Sequence, residues 1–268
     1  MRVLPSLILA ALATPAVAGQ TEWQEVFPGV RLRMIADDVR QPDGTTLVGL
    51  EIDMPRTTKT YWRVPGETGI PTLFDLSASH GISGEKVLWP YPVVDQTAGY
   101  LDYVYYGPTV LPLSVEASGK SSEIAATVSL GICSDVCVPA SASFSLPLSF
   151  DKADAAQQIR LQQAVALAPL PWDGPEGAVG EVRTDDSGNL VVSVGGDIDP
   201  ASLIADVDVP GVMLGAPQKS REGVVTLPLL GGGTNSGLEG RPVHFTFLTP
   251  AGAYETTRVI GPPEGTSP

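Results

Sequence analysis

Short runs rich in Val, Leu and Thr, each bounded by Gly, Pro or Asp, recur along this chain and predict many short β-strands. Gly occurs 29 times and Pro 25 times in the 268 residues, so turn signals are frequent. In Leu47–Met54 one set of alternate residues is apolar, as in a strand with one buried face. We therefore expect an all-β fold.

The first half of the chain holds eight such runs, spaced by roughly 8–12 residues, which is typical of a β-sandwich. We expect Tyr103–Tyr106 and Thr109–Ala117 to form a hairpin about Gly107-Pro108. The predicted strands are Leu47–Met54, Thr60–Val64, Thr72–Leu76, Lys86–Trp89, Tyr103–Tyr106, Thr109–Ala117, Ile124–Ile132 and Ala142–Phe150.

The pattern changes after Phe150, which predicts a domain boundary. Asp151 is a candidate cap for one short connecting helix over Lys152–Ala168, and the prolines that follow break regular structure. Strand patterns return from Val179 onward and indicate a second, smaller β-sandwich-like domain. The expected organisation is a signal peptide over 1–18, a first domain over 19–150, a helix and Pro-rich linker over 151–175, a second β domain over 176–262 and a flexible tail over 263–268.

The N-terminus has the pattern of a secretory signal peptide. Met1-Arg2 is basic, Val3–Ala13 is largely apolar, and Ala16-Val17-Ala18 is a small-x-small cleavage site. We expect cleavage after Ala18, so that the mature chain begins near Gly19. No later stretch reaches the roughly 18–20 apolar residues of a membrane helix, so we expect a periplasmic protein without direct membrane insertion.

The formal net charge is −14. Because nucleic acids and anionic membrane surfaces repel an acidic protein, both are disfavoured as partners.

Cys133 and Cys137 are the only cysteines, four residues apart. A disulfide between them closes a very small loop, which stabilises a fold by about 2 kcal/mol on the loop-entropy argument. A bond that served stability alone would usually join distant strands. The spacing therefore favours a redox or metal function, and a structural disulfide in a non-catalytic binding module remains the alternative.

Copper binding is a further alternative, because Cys-x-x-x-Cys can hold Cu(I), usually with a His or Met ligand. The segment resembles the Cys-Pro-Asp-Val-Cys-Pro motif of the copper-carrying Sco proteins. Here, however, Ser134 replaces the first proline and Val138 separates Cys137 from Pro139. The two histidines, His80 and His244, are interpreted as surface residues, and the strand-rich pattern lacks the βαβ alternation of a thioredoxin fold.

Basic neighbours lower the pKa of a thiol. The nearest charge in sequence to both thiols is Asp135, which disfavours the thiolate. We expect thiols of ordinary or raised pKa, suited to exchange with a docked partner that activates the reaction in the complex.

Several segments together resemble one known family, the N-terminal (alpha) domain of the thiol:disulfide interchange protein DsbD, and most of all its ScsB-type and stand-alone members. The strongest is Gly131–Ala140, which contains both cysteines. The remaining segments, in chain order, are Leu47–Met54, Thr60–Gly66, Gly69–Pro71, Trp89-Pro90, Tyr106-Gly107 and Val110–Leu113.

This resemblance implies an immunoglobulin-like β-sandwich with a reversible disulfide and no organic cofactor. It implies that Cys137 forms mixed disulfides with partners and that Cys133 resolves them, as in a protein-disulfide reductase. The implied electron source is a CcdA-like membrane thiol reductase, and the implied acceptor is a periplasmic thioredoxin-like protein. Acceptors of this kind serve disulfide isomerisation, cytochrome c maturation or copper-stress defence.

The resemblance also implies a cap loop over the sulfurs. The segment Pro90–Tyr100 occupies the matching place, and Tyr91, Val93 and Val94 are its candidate covering residues. The second domain loosely resembles the extra β domain of ScsB-type proteins.

Overall fold

The computed structural model describes residues 19–119, 122–174, 177–230 and 237–262. Apart from one helix and one 3-10 turn, the regular structure of these residues is β-strand, which confirms the all-β fold class. The predicted signal peptide and tail lie outside the described residues.

The first part of the chain is a sandwich of two antiparallel sheets. Its strands are β1 (Gln24–Phe27), β2 (Val30–Ala36), β3 (Thr45–Asp53), β4 (Lys59–Gly66), β5 (Leu73–Asp75), β6 (Ile82–Val87), β7 (Val93–Asp95), β8 (Asp102–Tyr106), β9 (Thr109–Ala117), β10 (Ser122–Cys133) and β11 (Cys137–Leu148). One sheet has the order β1-β2-β3-β9-β6, and the other has the order β11-β10-β4-β8-β7, with β5 paired to β10. This is the expected immunoglobulin-like arrangement.

Alternation along the strands fills the space between the two sheets. Val48, Leu50 and Ile52 of β3 are fully buried, and they belong to the same core as Trp62 of β4 and Tyr103 of β8. The rings of Trp62 and Tyr103 meet edge to face at 5.9 Å between centroids. The opposite face of the β4–β8 sheet is therefore free to carry other chemistry.

The predicted hairpin of Tyr103–Tyr106 with Thr109–Ala117 is wrong. Strand β8 pairs with β4 and β7, whereas β9 pairs with β3 and β6 in the other sheet. Tyr103 and Leu111 both face the shared core, so the chain must cross from one sheet to the other between them. Gly107, at a φ of 70°, provides the turn for this crossing.

The second part of the chain builds smaller sheets around its own core. Its strands are β12 (Leu170–Pro171), β13 (Val179–Thr184), β14 (Leu190–Val194), β15 (Ile204–Asp206), β16 (Met213–Leu214), β17 (Gln218–Arg221), β18 (Val224–Leu227), β19 (Leu229–Leu230), β20 (Pro242–Thr249) and β21 (Gly252–Val259), with a 3-10 turn at Pro200–Ser202. The sheet orders are β12-β21-β20-β15, β13-β14-β18-β17 and β16-β19. Phe245 and Phe247 lie fully buried in this core. The sheets of the first part use residues 24–148 and these use residues 170–259, while the domain limits given above stay a prediction.

The connecting helix, α1, is shorter than expected and covers Ala155–Val165. Asp154, not Asp151, caps it by accepting hydrogen bonds from the amides of Ala156 and Gln157. The cap is itself anchored to the first sandwich, because the Asp154 amide donates to the Asp37 carbonyl at 3.0 Å.

The two parts contact each other through side chains of β4 and of the segment before β7. Arg63 lies 3.6 Å from a carboxylate oxygen of Glu255 and 3.8 Å from one of Asp206. The Tyr91 hydroxyl donates to the Ser202 carbonyl at 2.7 Å. Arg63 of β4 therefore links the first sandwich to acidic residues of the second part.

Candidate functional site

Cys133 and Cys137 form a disulfide at the closed end of the β10–β11 hairpin. The two strands form twelve residue pairs, and Cys133–Cys137 is the last of them. Residues 134–136 make the turn, where the Ser134 amide donates to the Val136 carbonyl at 3.3 Å. Because the ladder holds the strands along their length, the hairpin does not depend on the S–S bond alone.

The two sulfurs differ in exposure. Cys133 is 1% exposed, whereas Cys137 is an exposed residue beside Val136, whose side chain is 67% exposed. An incoming thiolate can therefore reach Cys137 from solvent, while Cys133 lies on the protected side of the bond.

Tyr61 provides a polar contact to the buried sulfur. Its hydroxyl oxygen lies 2.9 Å from Cys133 Sγ and 3.4 Å from Cys137 Sγ. Burial raises the pKa of the Tyr61 phenol above its ordinary value, so the hydroxyl keeps its proton at neutral pH. It can donate a hydrogen bond to a thiolate at Cys133.

Two glycines shape the space around the Tyr61 ring. A Cβ at Gly69 would collide with the ring at Cδ1, and a Cβ at Gly131 would lie 3.1 Å from Cδ2 and 2.9 Å from Ile70 Cβ. Larger residues at these positions would displace the ring. Gly69 and Gly131 therefore leave the space in which the Tyr61 ring and its hydroxyl lie.

A buried ion-pair cluster lies next to the disulfide. Lys59 is opposite Cys133 in the ladder, and its Nζ lies 2.7 Å from Asp95 Oδ2 and 3.2 Å from Asp102 Oδ2. The Tyr106 hydroxyl also donates to Asp95 Oδ2, at 2.7 Å. Polar groups of β4, β7 and β8 thus meet beside the sulfur of β10.

Lys59 and Asp95 hold each other ionised. Burial opposes the charge of Asp95, but hydrogen bonds from Lys59, Thr97 and Tyr106 outweigh it and hold the pKa of Asp95 well below its ordinary range. Burial likewise opposes the charge of Lys59, and the two carboxylates outweigh it and raise its pKa. Two carboxylates against one ammonium leave no net positive charge beside the sulfurs. The expectation of thiols with ordinary or raised pKa therefore stays a prediction that this cluster supports.

The outer face of the sheet around the disulfide is partly apolar. Register places Tyr61 opposite Val104, and Val104 opposite Val93, so these side chains share the face of the site. Val104 packs with Tyr61 and Cys133. Val93 is 52% exposed and Tyr106 is 41% exposed, so apolar surface is accessible farther along the same sheet, on β7 and β8.

The structure separates the three candidate cap residues. Val93 lies on the face of the site, whereas Val94 is opposite Tyr103, a core residue. Tyr91 is half-buried against the core, and its hydroxyl binds Ser202 in the second part of the chain. Their role as a cap stays a prediction, and Val93 is the best placed of the three.

Within the described residues, the polar contacts of the two sulfurs include neither histidine. His80 pairs with Glu123, ten residues along β10 from Cys133, a separation of about 33 Å at the usual strand rise. His244 lies on β20, and its Nδ1 is 2.8 Å from the Thr257 hydroxyl. Among the described residues, no group of three or more His, Cys, Asp and Glu side chains is placed to hold a metal ion.

Sequence reasoning missed the polar neighbours of the disulfide, which are Lys59, Tyr61, Asp95, Asp102 and Tyr106. They lie on strands far from the cysteines in sequence. The signal that could have found some of them is a polar residue at the outward positions of an otherwise buried strand, such as Lys59 in β4.

The part of the chain that carries this site matches a known family model. Residues 33–149 match the model described as the N-terminal domain of the thiol:disulfide interchange protein DsbD. The whole fold is similar to the N-terminal periplasmic domain of ScsB from Proteus mirabilis, with a TM-score of 0.69, 23% sequence identity, and coverage of 91% of this chain and 99% of that one. No curated protein matches the chain. None of the helices in the described part of the chain has the length and apolarity to span a bilayer.

Proposed function

We propose that this chain, whose residues 33–149 match the DsbD N-terminal family model, is a periplasmic thiol–disulfide exchange protein. It would take electrons from a CcdA-like membrane thiol reductase and pass them to a periplasmic thioredoxin-like protein. The Cys133–Cys137 disulfide is the redox group, and no organic cofactor takes part. The activity is that of a protein-disulfide reductase component.

The observation that carries this proposal is the asymmetry of the disulfide. Cys137 is exposed, while Cys133 is 1% exposed and lies 2.9 Å from the Tyr61 hydroxyl. In such a disulfide, attack is favoured at the accessible sulfur of Cys137, and Cys133 leaves as a thiolate that the Tyr61 hydroxyl can stabilise. Val136 beside the disulfide, and Val93 and Tyr106 farther along the same sheet, offer exposed apolar surface for docking.

Loading of the protein proceeds in two exchange steps. A thiolate of the donor attacks Cys137 Sγ, the Cys133–Cys137 bond breaks, and Cys133 leaves as a thiolate that accepts the Tyr61 hydrogen bond and then a proton. The second donor thiol attacks the mixed disulfide and releases Cys137. The donor becomes a disulfide, and this protein gains two electrons and two protons.

Delivery reverses these roles on the acceptor. The Cys137 thiolate attacks the acceptor disulfide and forms a mixed disulfide, which Cys133 then resolves. The Cys133–Cys137 bond is restored, and the acceptor leaves as a dithiol with the two electrons.

The test is the reduction potential of the Cys133–Cys137 pair in the chain that begins at Gly19. We expect a value between about −200 and −280 mV, within reach of thioredoxin-like proteins. A value far below about −300 mV would identify a structural bond and overturn the proposal. Since the chain has no other cysteine, the thiol titration reports on this pair alone.

A second arm addresses the copper alternative. The reduced protein is titrated with Cu(I) in competition with a chromogenic chelator. We expect no binding that outcompetes the chelator. Tight one-to-one binding lost in a Cys137→Ser variant would favour copper carriage over electron transfer.

A further inference from the structure

An unpartnered carboxylate oxygen is buried where the connection between β2 and β3 meets the start of α1. Asp38 is 2% exposed, and its Oδ2 has no hydrogen-bond partner among the described residues. Its Oδ1 accepts a hydrogen bond from the Ser149 amide at 3.0 Å. The backbone of Asp38 is held at a φ of 53°, which non-glycine residues rarely adopt. A buried acceptor without a donor is costly, so this oxygen indicates a missing cationic or donor group.

Two more carboxylates lie around it. Asp37 is 1% exposed and accepts hydrogen bonds from the Val39 amide and the Thr46 hydroxyl. Asp154 uses Oδ1 to cap α1. After burial, which is the larger cause, the charges of Asp37 and Asp154 raise the pKa of Asp38. None of the ion pairs within the described residues involves these three side chains.

Gly19 lies against this cluster. It is buried, and its carbonyl accepts a hydrogen bond from the Ala36 amide at 2.8 Å. A Cβ at Gly19 would lie 2.8 Å from Asp154 Oδ2. Since the N–Cα and Cα–Cβ bonds are about 1.5 Å each, the Gly19 nitrogen lies within about 5.5 Å of that oxygen.

The direction of the chain brings the nitrogen toward the other carboxylates. Gln20 pairs with Ile35 in antiparallel register. Gly19 therefore lies opposite Ala36, and its nitrogen is on the side of Asp37-Asp38. The segment after Gly19 is fixed as well, because the Gln20 side chain accepts hydrogen bonds from Arg33 and Gln157.

We propose that Asp38 and Asp154 form a binding site for the α-ammonium group that signal-peptide removal creates at Gly19. This inference rests on the predicted cleavage after Ala18 and is independent of the exchange reaction. A signal peptidase hydrolyses the Ala18–Gly19 bond, one water is consumed, Ala18 gains a carboxylate and Gly19 gains the ammonium. A neutral amide with one N–H is thereby replaced by a cation with three N–H donors.

The chemistry of the site suits an ammonium better than a metal ion. The described residues contain no set of side chains placed to hold a metal, whereas an ammonium needs only acceptors at hydrogen-bond distance. Asp38 Oδ2, which has no hydrogen-bond partner among the described residues, and Asp154 Oδ2 are two such acceptors. Glycine at position 19 fits because its φ is 79° and because a side chain would strike Asp154.

The test compares the chain that begins at Gly19 with a chain that begins at Ala16 and so carries its α-amino group three residues upstream. The readout is the α-amino pKa, followed by 15N chemical shift in protein labelled at the first residue. An unperturbed α-amino pKa is about 7.7–8.0. The carboxylates of Asp37, Asp38 and Asp154 favour the cation, whereas Arg33, which binds the Gln20 side chain and is paired with Glu51, opposes it.

We expect the pKa at Gly19 to be raised by at least about one unit, a tenfold preference for the cation, and the pKa at Ala16 to be ordinary. An ordinary pKa in both chains would overturn the proposal. This comparison needs no substitution in the core, so it decides the question even if a variant does not fold.

A variant pair tests the acceptor. Asp38→Asn in the chain that begins at Gly19 should return the α-amino pKa toward its ordinary value. The matched control, Asp186→Asn, removes an exposed carboxylate of the second part and should leave the raised pKa unchanged. Equal effects of the two substitutions would show that general charge, and not Asp38, sets the pKa.

Discussion

The Tyr61 hydroxyl lies 2.9 Å from Cys133 Sγ, on the buried side of the disulfide. In an attack at Cys137, the electron pair of the broken bond goes to Cys133. A donor already in hydrogen-bond contact with that sulfur stabilises the charge where it develops. The geometry therefore favours Cys137 as the attacked sulfur and Cys133 as the leaving group.

Tyr61→Phe should slow reduction of the disulfide. The substitution keeps the ring and removes the donor to the Cys133 thiolate, and a hydrogen bond to a charged group contributes about 1.5–3 kcal/mol. We expect roughly a tenfold to hundredfold slower reaction with a small dithiol, measured by stopped flow. Tyr105→Phe is the matched control, because its hydroxyl binds the Pro90 carbonyl instead. Equal rates for the two variants would exclude the proposed role of Tyr61.

Single cysteine variants should differ in their ability to capture a partner. Cys133→Ser leaves the exposed Cys137 free to form a mixed disulfide that no second thiol resolves. Cys137→Ser leaves only the buried Cys133. We expect Cys133→Ser to accumulate a covalent complex with a purified periplasmic thioredoxin-like protein, and Cys137→Ser to form little of it. Similar yields on a non-reducing gel would contradict the assignment.

Gly131→Ala should destabilise the protein and disturb the site. The new methyl group would lie 2.9 Å from Ile70 Cβ and 3.1 Å from the Tyr61 ring, so one of them must move. Overpacking of this kind costs about 1–3 kcal/mol, measured by urea unfolding. Gly177→Ala is the control, since a methyl group there meets nothing within 4 Å. An unchanged unfolding midpoint in Gly131→Ala would show that the Tyr61 pocket is looser than described.

Asp95 should make the stability depend on pH. Burial alone would raise its pKa in the folded protein. Hydrogen bonds from Lys59, Thr97 and Tyr106 outweigh burial and hold the pKa well below the ordinary value. A lowered pKa contributes stability that is present above the unfolded value of about 3.9 and is lost as pH falls below it. We expect the free energy of unfolding to fall more steeply between about pH 4 and 2 in the wild type than in Asp95→Asn.

Other carboxylates act in the opposite direction and must be subtracted. Burial raises the pKa of Asp37, Asp38 and Asp206. These groups lower the free energy of unfolding at neutral pH, and that loss is relieved as pH falls and they become protonated. Both proteins share these groups, and the difference between the two curves isolates Asp95. Parallel curves would mean that Asp95 is not held by the Lys59 cluster.

The all-β fold and the cysteine pair were predictable because both are local features. Alternation in Leu47–Met54 is a property of one strand, and Cys133-x-x-x-Cys137 is a single segment. The earlier strand, Val30–Ala36, was missed. Its alternation is short, because Arg31 and Arg33 separate Val30, Leu32 and Met34, but Met34–Ala36 is a continuous apolar run.

The rest of the site depends on which strands become neighbours. Lys59 meets Cys133 only because β4 pairs with β10, and it meets Asp95 because β8 and β7 follow in the same sheet. Local turn signals also misled, since Gly107-Pro108 joins two sheets and does not close a hairpin. Tyr91 appeared suited to cover sulfur, but its hydroxyl finds Ser202 in the second part of the chain.

The twelve residue pairs that hold β10 to β11 have a consequence for turnover. Opening the Cys133–Cys137 bond releases the constraint on the last pair and on the turn over residues 134–136, while the other eleven pairs of the ladder are retained. The structural change on gain or loss of two electrons is thereby confined to the end of the β10–β11 hairpin. In the proposed relay, the same framework would meet the donor and the acceptor, so no refolding would separate reduction from oxidation.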